Sequence, residues 1–541
     1  MQGGQPVKPS VPLEPSQTNS TSRAEQEPAL SGWARYFVPS VADLIFVLLV
    51  ATLSCGLMAT RLLGDAGTGW HIRNGEQILQ THSIPHTDPF SASTAGRPWY
   101  AWEWMYDAGM AAIHAQLGLN GVVFATALLI GLAFSLLFHM MLQRGALLPV
   151  AVVLLILALI SSSIHFFARP HVVSWLFTLV WFGVLDSCEP KADSKNFRRI
   201  FWLPVLMLFW VNLHGGFVFG FALLGVYLLS GAINCLRDQI DSHWLRALAI
   251  VTVLSLLASL VNPYGYKLHL HVYRYLSDRW LMSHINEFQA PNFHGLPQLC
   301  FAVLLLIAIA TVVLSRSLIR LSHLFVLLLA GSSGLYASRN LPIASMLLAL
   351  LIAPLLSQTL VARAAGANTP AKIRIFITRC QAFASRVGNM QADLHGHIWP
   401  VAIVFLGVFI CMRQGRLGSL QVMDAHFDAK RFPVEAVEAI KTRGIPGPIF
   451  TLDSWGGYLI YQLYPQSKVF VDDRHDLYGD EFFKRYLTTI HVEPGWEALL
   501  NDNHMNWVLV PKKSALANAL RGTSQWRISY EDGTSILFSR S

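Results

Sequence analysis

The sequence predicts a polytopic α-helical membrane protein that carries one C-terminal α/β domain. Of its 541 residues, 53% are hydrophobic and only 13% are charged, which is about half the charged share of an average soluble protein. Apolar stretches recur up to residue 413, and several are long enough to cross a bilayer. This composition excludes a disordered protein and argues against an ordinary soluble enzyme.

The chain divides into three regions. Residues 1–38 are rich in Pro, Ser, Gln and Glu, so we expect a disordered cytoplasmic tail there. Residues 39–413 form the predicted transmembrane domain, and residues 414–541 form the α/β domain. The apolar stretches of the transmembrane domain lie at about 41–62, 121–142, 147–164, 171–187, 200–213, 216–235, 246–262, 298–315, 321–337, 341–361 and 398–413. The pair at 200–213 and 216–235 is either a helical hairpin or one broken helix.

The distribution of basic residues predicts the orientation in the membrane. With about 11 transmembrane helices, the two termini lie on opposite sides. One set of loops, together with the N-terminal tail, holds 17 basic residues, whereas the loops on the other side hold eight. The positive-inside rule then places the N-terminus in the cytoplasm and residues 414–541 outside.

The net charge and the cysteine pattern limit the partners and metal sites that the sequence predicts. The formal net charge of +8 is explained by topology, and no basic patch with interleaved aromatic residues is present in the sequence, so we expect no nucleic-acid partner. The six cysteines form no Cys-x-x-Cys pair, which leaves no thiolate zinc site to predict.

Short strand patterns alternate with helical patterns after residue 414. The strand patterns lie at 447–453, 468–474, 507–512, 526–532 and 535–540, and helical patterns lie at 481–490 and 514–522. This alternation predicts one compact extracytoplasmic α/β domain.

The polar residues concentrate on the outer side. Two outer loops, at 63–118 and 263–297, are far longer than hairpin turns, and 15 of the 20 histidines fall on this side. Asp65 lies just past the first apolar stretch, where an acid is costly unless it is paired or functional, although a helix cap is an equally good interpretation. His71, Arg73, Asp88 and Glu103 share its loop.

Some residues of this loop have a plain structural interpretation as well. Asp88 can belong to a Pro-terminated turn, and Glu103 can cap the helix that leads back to the membrane. Trp99, Trp102 and Trp104 fit an interfacial aromatic belt as well as they fit a sugar site.

Three further outer motifs are expected to converge on this loop. They contain Arg169 with His171, His214 before two glycines, and Arg339. Arginine pairs two oxygens at once and therefore suits a carboxylate or a phosphate. Internal salt bridges or snorkelling to headgroups are the alternatives for the arginines, and a capping role in a tight turn is the alternative for His214. In the outer domain, Asp472, Asp473 and Asp476 form either a divalent-cation site or, more often, a loop of caps and salt bridges.

The many spans, the long first outer loop with Asp65 just after the first span, and the C-terminal outer domain resemble the GT-C class of membrane glycosyltransferases. This class includes protein mannosyltransferases and lipid A aminoarabinose transferases. The sequence is also similar to bacterial membrane proteins that share the Asp65…Trp70-His71 loop and the outer-domain Gly-Gly-Tyr and Asp-Arg motifs. Two features depart from the class: Ala66, not a second acid, follows Asp65, and the Trp-Trp-Asp-Tyr-Gly motif of oligosaccharyltransferases is absent from the sequence.

The resemblance implies a transferase of the bacterial inner (plasma) membrane. It would move a sugar from a polyprenyl-phosphate donor to a lipid, glycan or protein acceptor, in contact with membrane lipids. Asp65 would be the catalytic residue, as the base or by orienting the acceptor, and a divalent cation, Mg or Mn, would be a possible cofactor. The predicted substrate-binding residues are His71, Arg73, Asp88, Glu103, Trp104, Arg169, His171, His214 and Arg339.

Two non-enzymatic functions are alternatives. A lipid-glycan transporter or flippase would distribute polar residues on both sides of the membrane midplane. A membrane assembly protein would use its outer domain to bind a partner, and its first-loop residues would then be replaceable.

Overall fold

The computed structural model describes residues 34–190, 198–237, 239, 242–315, 317–366, 370–394 and 397–541. Most of the predicted disordered tail therefore lies outside the described residues. Within that prediction, Ala34–Phe37 forms a short helix, α1.

The membrane domain is a bundle of helices that reproduces the predicted apolar stretches. Eight of the described helical segments are long and apolar enough to cross a membrane, and Leu321–Tyr336 and Ile398–Met412 are shorter apolar helices. The helices of the bundle and of its outer loops are α2 Val41–Ser54, α3 Leu57–Leu62, α4 Gly67–Thr81, α5 Trp104–Gln143, α6 Leu148–Ser162, α7 His171–Cys188, α8 Leu203–Leu213, α9 Phe217–Leu236, α10 Ser242–Ser259, α11 Tyr266–Ser277, α12 Arg279–His284, α13 Leu296–Leu314, α14 Leu321–Tyr336, α15 Leu341–Ala364, α16 Ala371–Asp393 and α17 Ile398–Met412.

Three details of the bundle differ from the sequence prediction or sharpen it. The apolar stretch at 41–62 forms two helices, because the helical conformation is interrupted at Cys55 and Gly56. Helix α5 begins well before its predicted apolar stretch and is kinked at Gly118, whose φ of +61° suits glycine. Helices α8 and α9 form a hairpin, since a Cβ on Gly220 would lie 2.9 Å from the Trp210 ring.

A network of ion pairs joins the helices at the end of the bundle that the sequence places in the cytoplasm. Asp186 accepts from Arg144 at 2.9 Å and from Arg320 at 2.6 Å, and Arg320 also pairs with Glu189 at 3.0 Å. Helix α7 runs for 18 residues from His171 to this network, a rise of about 27 Å. The network therefore lies across the bundle from the outer loops.

The outer domain contains a four-stranded mixed sheet flanked by helices. The elements are β1 Arg416–Leu417, β2 Leu420–Gln421, α18 Val434–Arg443, β3 Ile449–Thr451, α19 Asp453–Leu463, α20 His475–Tyr478, α21 Asp480–His491, α22 Ala498–Asp502, β4 Trp507–Pro511, α23 Ala515–Arg521, β5 Trp526–Glu531 and β6 Ser535–Arg540. The strand order is β3-β4-β6-β5, with β3 and β4 parallel and the other pairs antiparallel. Its core includes Phe450, Tyr486, Val508, Ile536 and Phe538.

The segment predicted as a strand at 468–474 is not a strand of this sheet. Val469 forms only isolated bridges, one to Ile449 and one to Ser91 of the first outer loop. The first loop therefore adds backbone hydrogen bonds to the edge of the outer domain, where Ala92 N donates to Val469 O at 2.8 Å.

Close backbone contact fixes the outer domain against the first outer loop. Helix α19 crosses α4 where both carry glycine: a Cβ on Gly69 would lie 2.3 Å from the Gly457 oxygen, and one on Gly457 would lie 2.4 Å from the Ala66 oxygen. Only glycine permits this approach. The Gly-Gly-Tyr motif of the outer domain thus permits close packing of the two helices beside Asp65.

Candidate functional site

Two neighbouring cavities lie between the outer domain and the outer end of the bundle. The first, here called the aromatic cavity, has a volume of about 580 Å³ together with the open solvent at its mouth, and it is lined by Trp70, Trp99, Tyr100, Trp102 and Tyr275 among others. The second, the histidine cavity, has a volume of about 330 Å³ on the same basis and includes Asp65, His165, His171 and His214. Four residues line both cavities and form what we call the junction: Glu103, Arg169, Glu287 and Arg339.

Asp65 is held by Arg169. Asp65 Oδ1 accepts from Gly67 N at 2.8 Å, in a turn at the start of α4, and from Arg169 Nη1 at 2.7 Å. Its Oδ2 forms no hydrogen bond within the described part of the chain, and the side chain is 32% exposed. One oxygen of Asp65 is therefore anchored, and the other is available to a ligand in the histidine cavity.

Arg169 also binds the outer domain. The same Nη1 lies 2.7 Å from Asp473 Oδ2, and Trp70 Nε1 donates to Asp473 Oδ1 at 3.0 Å. Burial raises the pKa of Asp473 to about 6, against the opposing charge of Arg169. The guanidinium thus bridges two carboxylates from opposite sides of the site.

Glu103 occupies the junction, where the side chain of Trp102 is its hydrogen-bonding neighbour. It is 7% exposed, and it occupies the N-cap position of α5 without making a side-chain capping bond. Its two oxygens lie 3.7 Å from His71 Nε2 and 3.6 Å from His214 Nε2. Burial raises the pKa of Glu103 to about 7, although the positive charges of Arg169 and Arg339 favour its ionised form.

The second arginine of the junction, Arg339, lies just before α15 and pairs with Glu287 of the 263–297 loop. Arg339 Nη1 lies 2.7 Å from Glu287 Oε1, and the guanidinium stacks on Phe288 at 5.1 Å from the ring centroid. Burial works against ionisation of Glu287, yet Arg339 lowers the pKa of that carboxyl to about 2. Both arginines of the junction therefore have acidic partners and still face cavity space.

Six of the predicted site residues line the cavities, and a seventh, His71, lies beside the lining residue Glu103. The lining residues are Asp65, Glu103, Arg169, His171, His214 and Arg339. His71 is fully buried, and its Nε2 has no hydrogen-bond partner among the described residues.

The remaining three predicted residues lie outside both cavities. Arg73 Nε donates to the Tyr461 backbone oxygen at 2.8 Å, which attaches α4 to the outer domain. Asp88 is buried against Arg474 at 2.9 Å. Trp104 Nε1 donates to Asn212 at 2.8 Å and lines an open, mainly apolar groove on the side of the bundle.

Several contributors were missed by sequence reasoning. Asp107 and Glu287 looked like ordinary polar residues of a helix and a loop, and Arg474 is the buried partner of both Asp88 and Asp472. Asp107 lies four residues after Glu103 in the sequence, so the two share one helix face; this spacing was the one available signal.

The side chains around the cavities do not fit a divalent cation. Asp472 pairs with Arg474 at 2.7 Å, and Asp476 pairs with His271 at 3.0 Å, so the outer-domain acids do not converge. The position between Asp65 and Asp473 is filled by the Arg169 guanidinium. In the described ranges, one group of acid and histidine side chains has metal-ligand spacing, namely Asp186, Glu189 and His323, within the ion-pair network at the opposite end of the bundle.

No protein-family model and no curated protein matches the sequence. Among solved structures, the chain is similar to the oligosaccharyltransferase of Archaeoglobus fulgidus in the apo form, with a TM-score of 0.58, 11% identity, and coverage of 93% of this chain and 74% of that one. It is also similar to ArnT from Cupriavidus metallidurans bound to undecaprenyl phosphate, with a TM-score of 0.51, 14% identity, and coverage of 94% and 98%.

A third similar structure is the A. fulgidus oligosaccharyltransferase AglB with an inhibitory peptide and a dolichol-phosphate, with a TM-score of 0.55, 12% identity, and coverage of 93% and 74%. AglB and ArnT are both GT-C glycosyltransferases. The chain therefore has the GT-C fold, and the fold expected from the sequence is confirmed.

Proposed function

Starting from this GT-C fold, we propose that the protein is a membrane glycosyltransferase that moves a sugar from a polyprenyl-phosphate donor to an extracytoplasmic acceptor. The observation that carries the proposal is the junction, where two arginines and two acids line both cavities at once. Such a junction supplies cations for a phosphate and acids for hydroxyl groups, and these are the groups that a glycosyl transfer must hold together.

The histidine cavity suits the donor phosphate. Arg169 and Arg339 face it from two different loops, and His171 and His214 add polar contacts. The groove lined by Trp104 and Asn212 is mainly apolar, and these two residues are close in the chain to Glu103 and His214 of the histidine cavity, so we propose it as the path of the lipid chain. A structure of the GT-C neighbour ArnT holds undecaprenyl phosphate, and one of AglB holds a dolichol-phosphate, which supports a lipid-phosphate ligand here.

The aromatic cavity suits a sugar. Trp70, Trp99 and Trp102 supply flat apolar faces, while Glu103 and Asp473 supply hydrogen-bond acceptors. Ligand sites of this kind combine apolar walls with a few placed polar groups.

Asp65 is the proposed catalytic carboxylate for the acceptor. Its anchored Oδ1 fixes the side chain, and its available Oδ2 can hold an acceptor hydroxyl in line with the anomeric carbon. The leaving phosphate gains charge as the glycosidic bond breaks, and Arg169 and Arg339 stabilise that charge. The proposed orientation, with the junction on the extracytoplasmic face, follows from the basic-residue distribution. The proposed location in a bacterial inner membrane rests on the family resemblance.

The proposal is tested with purified protein in lipid nanodiscs. Labelled sugar should move from polyprenyl phosphate to a hydroxyl acceptor, and Arg339→Ala should weaken donor binding roughly 10- to 100-fold because it removes a charge-assisted phosphate contact. Arg485→Ala, a change in an outer-domain arginine that is 49% exposed, is the control and should bind the donor normally.

The non-enzymatic alternatives predict a different outcome. The ion-pair network of Asp186 and Arg320 shows that polar groups also exist at the other end of the bundle, as a transporter would require. If the wild type carries lipid-linked glycan across the bilayer of proteoliposomes but transfers no sugar from any lipid-phosphate donor, the transferase proposal is wrong.

A further inference from the structure

We propose that Glu103 takes the proton of the acceptor hydroxyl, and that two histidines of fixed orientation, His71 and His214, hold Glu103 in both of its protonation states. This inference rests on the proposed function and deepens it. It divides the work of the two carboxylates: Asp65 orients the acceptor, and Glu103 is the proton acceptor.

The placement of Glu103 is the first support. An acid at a helix N-cap ordinarily accepts bonds from the first backbone N–H groups of the helix. The Glu103 carboxylate makes no such bond and turns instead into the junction of the two cavities. Asp65 lines only the histidine cavity, so Glu103 has access to a hydroxyl held in either cavity.

His71 is locked behind Glu103. Its Nδ1 lies 2.6 Å from Asp107 Oδ1, and Asn74 Nδ2 donates to Asp107 Oδ2 at 2.6 Å. In its ionised form Asp107 accepts at both oxygens, and with this form of Asp107 we assign the imidazole hydrogen to Nδ1. The lone pair on Nε2 is then 3.7 Å from Glu103 Oε2, and Nε2 is buried without another partner in the described structure.

Hydrogen bonds also fix the ring of His214, but here the nitrogen that faces Glu103 is a donor. Gly216 N donates to His214 Nδ1 at 3.0 Å, so this nitrogen is an acceptor. Ser174 Oγ lies 2.7 Å from the same nitrogen and itself accepts from Trp210 Nε1 at 2.8 Å, which leaves the serine hydrogen for the histidine. The hydrogen of His214 is therefore on Nε2, 3.6 Å from Glu103 Oε1.

The two histidines suit both forms of Glu103. At 3.6 and 3.7 Å neither contact is a hydrogen bond, and a small shift of the carboxyl group closes one or the other. The ionised carboxylate then accepts from His214 Nε2–H, and the protonated carboxyl then donates to the lone pair of His71 Nε2. Burial lowers the pKa of His71 and of His214 well below the ordinary value, so both stay neutral and do not compete for the proton.

Other groups set the proton affinity of Glu103 itself. Burial raises its pKa to about 7, which is close to the value that suits a general base at neutral pH. The titratable and charged groups that contact Glu103 or line the same cavities are Asp65, His71, Tyr100, Asp107, His165, Arg169, His171, His214, Tyr275, Glu287, Arg339, Asp473, Arg474, His475 and Asp476.

The step balances without a cofactor. The acceptor oxygen forms a bond to the anomeric carbon, its O–H bond breaks, and the proton moves to a Glu103 oxygen. The bond between the anomeric carbon and the phosphate oxygen breaks, and its electron pair leaves with the lipid phosphate. Glu103 then releases the proton through the cavity to water or to the product phosphate.

The pH dependence of kcat/KM tests the inference. Glu103 must be ionised to accept a proton, so wild-type transfer should be lost as the pH falls, with a midpoint of about 7. Glu103→Gln should lower the rate on the order of 10²-fold or more and abolish this midpoint. Asp65→Asn should lower the rate but keep the midpoint, and Glu438→Gln, an exposed outer-domain change, should alter neither.

Asp107→Asn tests the positioning role. The amide would donate to His71 Nδ1, move the imidazole hydrogen to Nε2 and present a donor to Glu103. That donor and the loss of the Asp107 charge both favour the ionised carboxylate, so the midpoint should shift to lower pH while lipid-phosphate binding is unchanged. A simple packing role for Asp107 would not move the midpoint in this direction.

An infrared titration separates failure of this inference from failure of the proposed function. Wild-type protein should lose a carboxylic acid carbonyl band as the pH rises through about 7, and Glu103→Gln should lack that band. Absence of the band in the wild type, or an unchanged pH profile in Glu103→Gln, overturns the inference. A wild type that shows the band but transfers no sugar overturns the proposed function instead.

Discussion

Arg474 of the outer domain lies 2.9 Å from Asp88 of the first outer loop, and both side chains are almost completely buried. The same guanidinium pairs with Asp472 at 2.7 Å and lies 4.7 Å from the centroid of the Trp99 ring. Trp99 lines the aromatic cavity. The ion pair therefore joins the two parts of the protein, and Arg474 forms part of the cavity wall together with Trp99.

Replacing Arg474 should destabilise the contact between the outer domain and the first outer loop. Arg474→Met leaves two buried carboxylates, Asp88 and Asp472, without their cation, and we expect a loss of stability of about 3–5 kcal/mol, as for other broken buried pairs. Thermal unfolding of the purified protein would measure it. Arg485→Met, at an exposed ion pair, is the matched control and should change the unfolding midpoint little. Equal midpoints for the two variants would contradict the assigned role.

Asp65→Asn should lower sugar transfer on the order of 10²-fold or more, whereas donor binding should persist. Asparagine keeps the size of the side chain but carries no charge, so it cannot hold the acceptor hydroxyl and Arg169 as the carboxylate does. The rate of transfer and the affinity for lipid phosphate are measured separately. Asp480→Asn, at an exposed outer-domain acid, is the control. Full activity in Asp65→Asn would remove this residue from the mechanism.

Transfer should be insensitive to metal chelation. Arg169 occupies the position between Asp65 and Asp473 that a bridging cation would need. Activity after treatment with EDTA should therefore equal the untreated activity. Arg169→Ala should lower transfer roughly 10²- to 10³-fold, because a fixed positive charge near the leaving phosphate is lost.

A second measurement on this variant does not depend on activity. Arg169→Ala leaves two facing carboxylates, and it should bind Mn²⁺ more tightly than the wild type, as followed by electron paramagnetic resonance. Inactivation of the wild type by EDTA, with recovery on adding Mg²⁺ or Mn²⁺, would show that transfer requires a divalent cation and would contradict this prediction.

The orientation predicted from basic residues is open to a labelling test. In a cysteine-free background, Ser524→Cys on the outer domain and Ser317→Cys in the loop before α14 are both exposed. A membrane-impermeant thiol reagent should label Ser524→Cys in intact cells and Ser317→Cys only after the membrane is opened. Labelling of both in intact cells, or of neither, would refute the predicted orientation.

The helices and the outer domain could be predicted from the sequence because apolar length and strand alternation are local patterns. Every predicted apolar stretch coincides with a helix, although the one at 41–62 is split. The segment predicted as a strand at 468–474 forms only isolated bridges, because it bonds the sheet through Ile449 alone and bonds the first loop, at Ser91 and Ala92, on its other edge. Because the first loop is far from this segment in the sequence, the local pattern cannot predict the bonds between them.

The site was only partly predictable for the same reason. Asp65, Arg169 and Arg339 were recognised as charged residues at the membrane boundary, where charge is unusual. Their mutual geometry was not accessible, because Asp473 lies 304 residues beyond Arg169 in the chain. Glu103 read equally well as a helix cap, and only the direction of its carboxylate distinguishes the two interpretations.

The proposed function depends most on the donor phosphate binding at the junction. A cryo-electron microscopy structure of the protein in nanodiscs with polyprenyl phosphate tests this directly. We predict phosphate density within hydrogen-bonding distance of Arg169 or Arg339, with the lipid chain leaving along the groove beside Trp104. Phosphate density at the opposite end of the bundle, against Arg144 and Arg320, or two empty cavities at saturating lipid, would contradict the account.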